Sequence, residues 1–225
     1  NILAQRKPGY DLREEWYQTE EDATLVLSPV AHIAGTGFGL WNLYAGGRIV
    51  IAREFNPAET VSLINRTGVT YALFVPSMLQ MLLDHLDASG ENVSGLRYIA
   101  YGASPISEEV LRGAIKAFKT NFMQVYGLTE TTGATTILLP EEHDLDGPNK
   151  KLLRSCGRIV PGMELKIVDS DTGKEVKRGD VGEVWVRGGQ VMKCYWRMDD
   201  ETKKSINAEG WFRTGDAAYQ DENDY

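Results

Sequence analysis

From residue 23 to about residue 139, short apolar runs alternate with stretches whose apolar residues recur at helical spacing. This alternation restricts the fold more than any other feature of the chain. Apolar runs this short, bounded by turn formers, suit strands buried on both faces, and a helix between successive runs supplies the long crossover that parallel pairing requires. The candidate strands are 23–27, 47–52, 69–74, 96–101 and 121–125. Asn56 followed by Pro57 and Glu59 reads as an N-cap, a first-turn proline and a capping-box acid, opening a helix that runs to about Arg66. Ser104 with Pro105 reads the same way, ahead of a helix whose apolar stripe is Val110, Leu111, Ala114, Ile115 and Phe118. The expected class is α/β, with a layered αβ subdomain built on a mainly parallel sheet.

The pattern changes at the polar, breaker-rich stretch Gly147-Pro148-Asn149-Lys150-Lys151. Beyond it, 164–168 and 182–187 read as strands flanking the turn-like Asp169-Ser170-Asp171-Thr172-Gly173. The expected division is an α/β subdomain over 1–149 and a smaller β-rich subdomain over 150–225. A chain of 225 residues, 42% of them hydrophobic, can bury one large core or two smaller ones. Asp and Glu number 32 against 24 for Lys and Arg, and a net charge of −8 offers no broad attraction to nucleic acid or to an anionic membrane. A nucleotide ligand stays compatible with that charge, because phosphates are held by local N–H groups, hydroxyls and a metal ion. Cys156 and Cys194 form no CxxC pair and are too few for a disulfide framework, which points to a reducing compartment, the cytoplasm by default. No apolar run approaches the ~20 residues that span a bilayer, and no secretory core follows Arg6 and Lys7. The chain opens on Asn1 rather than Met and closes at Tyr225 in a segment that reads as entering a strand, so both ends read as cuts.

The segment richest in chemistry runs from Gln124 to Gly133, where a buried-type strand enters a loop crowded with hydroxyls, two glycines and one carboxylate. Loops at the carboxyl ends of parallel strands are where α/β sheets hold ligands. Thr129 offers a hydroxyl to a phosphate oxygen, Glu130 offers hard oxygens to Mg²⁺, and Tyr126 offers a ring for stacking on a base. Composition alone equally describes an ordinary polar turn, with Thr129 capping a backbone group and Glu130 solvated.

Tyr126-Gly127-Leu128-Thr129-Glu130-Thr131 resembles a signature motif of the adenylate-forming, acyl-activating superfamily, which includes acyl-CoA synthetases, firefly-type luciferases and peptide-synthetase adenylation domains. Further segments match in the family's order. Tyr101-Gly102-Ala103-Ser104-Pro105 is similar to the family's small-residue turn between adenine and the acyl pocket, where Gly102 and Ala103 leave room for flat ligand surfaces. Gly210-Trp211-Phe212-Arg213-Thr214-Gly215-Asp216 resembles the motif whose aspartate accepts hydrogen bonds from both ribose hydroxyls of AMP. Ser28-Pro29-Val30-Ala31-His32-Ile33-Ala34-Gly35 resembles the segment whose histidine lines the acyl pocket. The stretches 182–188 and 191–196 resemble the family's later structural strands, with Cys194 where members usually carry glycine. That departure puts the local backbone angle in doubt, and a partly buried small side chain is the expectation for Cys194.

The resemblance implies an enzyme that converts a carboxylic acid, ATP and CoA into acyl-CoA, AMP and pyrophosphate through an acyl-adenylate, with Mg²⁺ as the metal. It implies that Thr129 contacts phosphate, that Glu130 binds Mg²⁺, and that Gly102, Ala103, Ser104, Pro105, Tyr126, Gly127, Thr129 and Asp216 form the nucleotide site. It puts His32 and Gly102 at the acyl pocket and makes 150–225 part of a distorted β-barrel. The motifs are worded most like those of bacterial fatty-acyl-CoA ligases. Peptide-synthetase domains usually place an aspartate near the His32 position, and its absence favours a plain acyl or aryl acid. Asn1-Ile2-Leu3 resembles the helix after the family's phosphate loop, so that loop and the carboxyl-terminal lid domain with its lysine are expected to be missing and the fragment alone to be inactive. Two alternatives stay open: an aryl-CoA ligase or other adenylate-forming enzyme, and a noncatalytic nucleotide-binding or interaction module. His85 and His143 receive no role.

Overall fold

The structure, a computed structural model, describes residues 18–225, so the expected helix at Asn1, Ile2 and Leu3 lies outside the described residues. Chain contacts divide the described residues into two compact units, one holding 18–126 with Leu138–Cys156 and the other Gly127–Ile137 with Gly157–Tyr225.

The first unit alternates strand and helix: β1 (Ala23–Val26), α1 (Ile33–Tyr44), β2 (Arg48–Ile51), α2 (Pro57–Thr67), β3 (Tyr71–Phe74), α3 (Pro76–Ser89), β4 (Tyr98–Gly102), α4 (Glu108–Phe118) and β5 (Asn121–Leu128), of which the residues through Tyr126 belong here. The strands stand in the order β2-β1-β3-β4-β5, and every neighbouring pair is parallel. All five expected strands are present, each within a few residues of its expected bounds. The α2 start is as the sequence predicts: Asn56 Oδ1 accepts from Glu59 N at 3.0 Å, and the helix stops at Gly68 with φ 62°. The α4 start is not. Ser107 rather than Ser104 is the N-cap, its Oγ accepting from Val110 N at 3.2 Å with Glu108 and Glu109 in the first turn. Ala103, at φ 65°, turns the chain first, and the acids that favour a helix amino terminus come only after Ser107.

Leu25, Phe74, Leu82, Ile99 and Leu111 are essentially inaccessible and form one core between sheet and helices. Burial of each such side chain contributes roughly 1.5–3 kcal/mol. Of the α4 stripe, Leu111, Ala114 and Phe118 are buried, and Val110 and Ile115 pack against the same core. At the amino end of the sheet, the buried Asp22 accepts from Arg97 Nη1 at 2.8 and 2.9 Å, from Thr70 Oγ1 at 2.8 Å and from Thr19 N at 2.8 Å. Burial by itself pushes the Asp22 carboxyl up, yet these hydrogen bonds and the Arg97 charge together hold it below the usual range.

In the second unit, β6 (Gly133–Leu138), of which the residues through Ile137 belong here, pairs antiparallel with the short β7 (Arg158–Ile159), and β8 (Met163–Val168), β9 (Gly182–Gly188) and β10 (Phe212–Ala218) form an antiparallel sheet in the order β10-β9-β8. A short helix, α5 (Asp199–Ser205), precedes β10. The turn after β8 is organised by Asp169 Oδ1, which accepts from Thr172 N at 2.7 Å and Asp171 N at 3.1 Å. Val168, Trp185 and Trp211 form a buried cluster in this unit, with Lys166 Nζ 4.3 Å from the centre of the Trp211 ring. The stretch 191–196, expected as a strand, belongs to no strand. Tyr225, expected to enter a strand, instead closes a turn over 221–225, in which Asp221 Oδ1 accepts from Asn223 N at 2.9 Å and from Tyr225 N at 3.0 Å.

Both units are discontinuous in sequence. The polar stretch 147–151 lies within Leu138–Cys156 and so inside the first unit. A boundary drawn from composition assumes contiguous pieces, whereas this chain leaves the first unit after Tyr126 and returns to it at Leu138.

Candidate functional site

Parallel pairing brings the carboxyl ends of neighbouring strands to one edge of the sheet, and the strand order reverses beside β1, the place where such sheets open a crevice. Two of the candidate segments leave first-unit strands at that end: 27–32 follows β1 and 103–107 follows β4. Of the expected site residues, His32, Gly102, Ala103, Ser104, Pro105 and Tyr126 fall in the first unit, and Gly127, Thr129, Glu130 and Asp216 in the second.

His32 caps α1. Its Nδ1 accepts from Ala34 N at 3.1 Å, so a neutral ring carries its proton on Nε2, and the side chain is exposed. No sequence signal points to this role, because histidine is not a preferred N-cap. Gly102 ends β4 against β5 so closely that a Cβ there would lie 2.0 Å from Val125 O, a clash with backbone that only glycine avoids. Ala103 then takes a left-handed conformation, which costs a residue with a Cβ about 1 kcal/mol or more. Ser104 and Pro105 are exposed.

Beneath this turn lies a contact that sequence reasoning missed. Tyr101 OH is 3.0 Å from His143 Nε2, and His143 Nδ1 is 2.7 Å from Leu139 O. A carbonyl only accepts, so Nδ1 carries the proton, and Nε2 accepts from the tyrosine. Burial holds the imidazole below its ordinary pKa and pushes the Tyr101 phenol up. The ring therefore stays neutral at physiological pH. Nothing in the charged surroundings of His143 in the sequence signals a buried partner. His85 lies on α3 and pairs with Glu91 at 2.9 Å.

In the second unit, Thr129–Thr131 forms one 3-10 turn. Gly127 passes Gly133 so closely that a Cβ would lie 1.8 Å from Gly133 O. The buried Thr131 closes the turn, its Oγ1 accepting from Leu128 N at 2.9 Å and lying 3.0 Å from Leu128 O and 2.9 Å from Gly133 O. With its neighbour thus committed to the backbone, Thr129 is left exposed at the head of the turn. Glu130 Oε1 accepts from Tyr195 OH at 2.7 Å, and burial together with this carboxylate raises the Tyr195 phenol above its ordinary value. Sequence reasoning assigned Tyr195 to a structural strand and missed the contact, which spans 65 positions.

Asp216 sits where the pairing of β10 with β9 slips between Arg213 and Ala217, with Gly215 at φ 78°. Bulges of this kind re-aim a side chain away from the sheet. Thr214 Oγ1 donates to Val184 O at 2.8 Å and accepts from Asp216 N at 3.1 Å, and Gly215 N donates to Glu183 Oε1 at 3.1 Å, so the bulge is fixed on both sides. Cys194 is exposed rather than partly buried, and it is not among the described residues of positive φ, so the substitution brings no backbone strain. Loop 191–196 lies outside any strand, and that leaves the Cys194 side chain uncovered.

Among the described residues no group of three or more His, Cys, Asp or Glu side chains is placed to hold a metal by itself. Mg²⁺ that arrives with nucleotide phosphates needs only one or two carboxylates, and the hard oxygens of Glu130, on a turn with the exposed Thr129 hydroxyl, fit that requirement. Among the described residues no helix is long and apolar enough to cross a membrane.

A family model described as AMP-binding enzyme matches residues 1–196. The chain is 36% identical over 211 residues to the medium/long-chain-fatty-acid–CoA ligase FadD8 of Mycobacterium tuberculosis, covering 94% of this chain and 36% of that protein. It is 34% identical over 211 residues to 4-coumarate–CoA ligase 3 of Oryza sativa subsp. japonica, covering 92% of this chain and 37% of that one. Among solved structures, o-succinylbenzoate coenzyme A synthetase (MenE) from Bacillus subtilis, in complex with ATP and magnesium ion, superposes with a TM-score of 0.80 at 28% identity over 93% of this chain and 42% of that one. The chain thus spans little more than a third of the length of the curated relatives it matches. A family match over most of the sequence, supported by relatives and folds of the same kind, makes this chain a member of the AMP-binding enzymes, the adenylate-forming family.

Proposed function

We propose that the protein to which this chain contributes activates a carboxylic acid with ATP and transfers the acyl group to CoA. The carboxylate oxygen attacks the α-phosphorus and pyrophosphate leaves; the CoA sulfur then attacks the carbonyl carbon of the acyl-adenylate and AMP leaves. The substrate itself is the nucleophile, so the task of the protein is alignment and charge stabilisation. In this reading Thr129 donates to a phosphate oxygen, Glu130 receives the metal, Asp216 accepts from the ribose hydroxyls, and Tyr126, Gly127 and the turn Gly102-Ala103-Ser104-Pro105 surround the adenine. His32 and Gly102 border the acyl pocket. Mg²⁺ bound with the nucleotide supplies neutralisation of phosphate charge.

The observation that carries the reading is the turn after β5, where Thr131 satisfies the backbone so that the Thr129 hydroxyl is exposed and the Glu130 carboxylate is fixed beside it. Relatives include ligases of fatty acids and of 4-coumarate. We favour a fatty acid, from the wording of the Gly102 and Tyr126 motifs, and a cytoplasmic setting, from a cysteine count too low for a disulfide framework.

The test is AMP release by the full reading frame containing this chain, incubated with Mg-ATP, CoA and a panel of fatty and aryl acids. Acid-dependent AMP formation is expected, strongest with fatty acids, and Glu130→Gln should lower it by orders of magnitude. Nucleotide binding with no acid-dependent AMP would replace the enzyme by a noncatalytic nucleotide-binding module.

A further inference from the structure

The turn that carries Glu130 is fastened to one stretch of chain, 190–195, at three points. Thr132 Oγ1 donates to Gln190 O at 2.7 Å, Met192 N donates to Glu130 O at 2.7 Å, and Tyr195 OH donates to Glu130 Oε1 at 2.7 Å. The first two fix the main chain of the turn, and the third fixes the carboxylate. Tyr195 is itself held: its N–H donates to Thr202 Oγ1 at 2.9 Å, and that hydroxyl donates to Met198 O at 2.9 Å at the start of α5. Both Tyr195 and Glu130 are half-buried, so the pair stands at the boundary with solvent, where a ligand reaches it.

An ionised carboxylate has two oxygens, each able to accept more than one partner. A hydroxyl on Oε1 leaves the other oxygen for a cation. A glutamate without such an anchor loses its rotamer freedom only when the cation binds, and affinity is reduced accordingly. Hydrogen bonds to a metal-ligating side chain orient it in this way in metal sites generally. We infer that Tyr195 is a positioning residue that presents the Glu130 carboxylate to the Mg²⁺ carried by nucleotide phosphates. The inference rests on the reading of Glu130 as a metal ligand.

The experiment measures ATP affinity of the full chain by calorimetry, with Mg²⁺ and with chelator, and AMP affinity with chelator as a metal-free control. In the wild-type chain Mg²⁺ should tighten ATP. Tyr195→Phe keeps the ring and removes only the hydroxyl; it should reduce the Mg²⁺-dependent gain roughly tenfold, the lower end for loss of a partner of a metal ligand, while leaving AMP affinity and the thermal midpoint unchanged. Glu130→Gln should abolish the gain. If Glu130→Gln abolishes it and Tyr195→Phe keeps it whole or enlarges it, Tyr195 is no positioning residue, while the metal reading of Glu130 stands. If the wild-type chain shows no gain, or Glu130→Gln keeps it, the metal reading fails and the role of Tyr195 with it. Equal losses of ATP and AMP affinity in Tyr195→Phe would make the tyrosine a structural residue and overturn the inference.

Discussion

The Asp22 carboxylate is 1% exposed while its partner Arg97 is 43% exposed, and this asymmetry decides which substitution does more harm. Removing Asp22 lets the arginine turn to solvent. Removing Arg97 strands a buried carboxylate with only neutral donors from Thr19 and Thr70. Arg97→Met, which retains an apolar stem, is expected to lose about 3 kcal/mol at neutral pH, as for other pairs broken from one side; urea unfolding gives the number. The Asp22 carboxyl is depressed in the folded state, so its contribution is fully present above its unfolded pKa of about 3.9 and is lost as pH falls through the folded value. The gap between wild type and variant should therefore close on acidification. A gap of constant size from pH 7 to pH 3 would mean that Arg97 acts through packing on Tyr71 and Tyr98 rather than through charge.

At the scale of elements, the two helix starts read from the sequence had different outcomes. Asn56, Pro57 and Glu59 occupy the cap and first turn with no strain before them, so local chemistry alone sets the α2 boundary. Ser104 and Pro105 follow Ala103, whose left-handed backbone belongs to the turn leaving β4, and the helix waits until Ser107. The consequence is measurable. Ser107→Ala should cost about 1 kcal/mol of stability, the usual value for a lost N-cap, whereas Ser104→Ala should stay within about 0.5 kcal/mol, as for an exposed residue that touches no special feature. Thermal or denaturant unfolding of the two variants side by side decides it, and the reverse ranking would restore Ser104 as the cap.

For the molecule as a whole, the chain covers 36% of the fatty-acid ligase and 37% of the 4-coumarate ligase it resembles, so the proposed activity belongs to the whole protein rather than to these residues by themselves. A polypeptide of this sequence alone is expected to bind AMP weakly and to sustain no acyl-CoA synthesis. Loss of even one preorganised donor to developing charge lowers rates by about 10² to 10³. Sustained AMP release by the purified 225-residue polypeptide with Mg-ATP, CoA and fatty acids would show that these residues suffice.

The strand–helix alternation, the parallel class of the main sheet and the family are all legible in the amino-acid order, because they follow from apolar periodicity, caps and short motifs that act within a few residues of one another. Every pairing between distant positions is left to the tertiary structure. Tyr195 on Glu130, His143 beneath Tyr101, Arg97 on Asp22 and the discontinuous course of both units bring together residues 42 to 75 positions apart or segments with a long insertion between them. No local preference encodes such contacts. A tyrosine in a loop and a histidine among charges carry the same sequence signal whether or not a carboxylate or a phenol waits across the fold, and only packing of the whole chain decides which of them meets a partner.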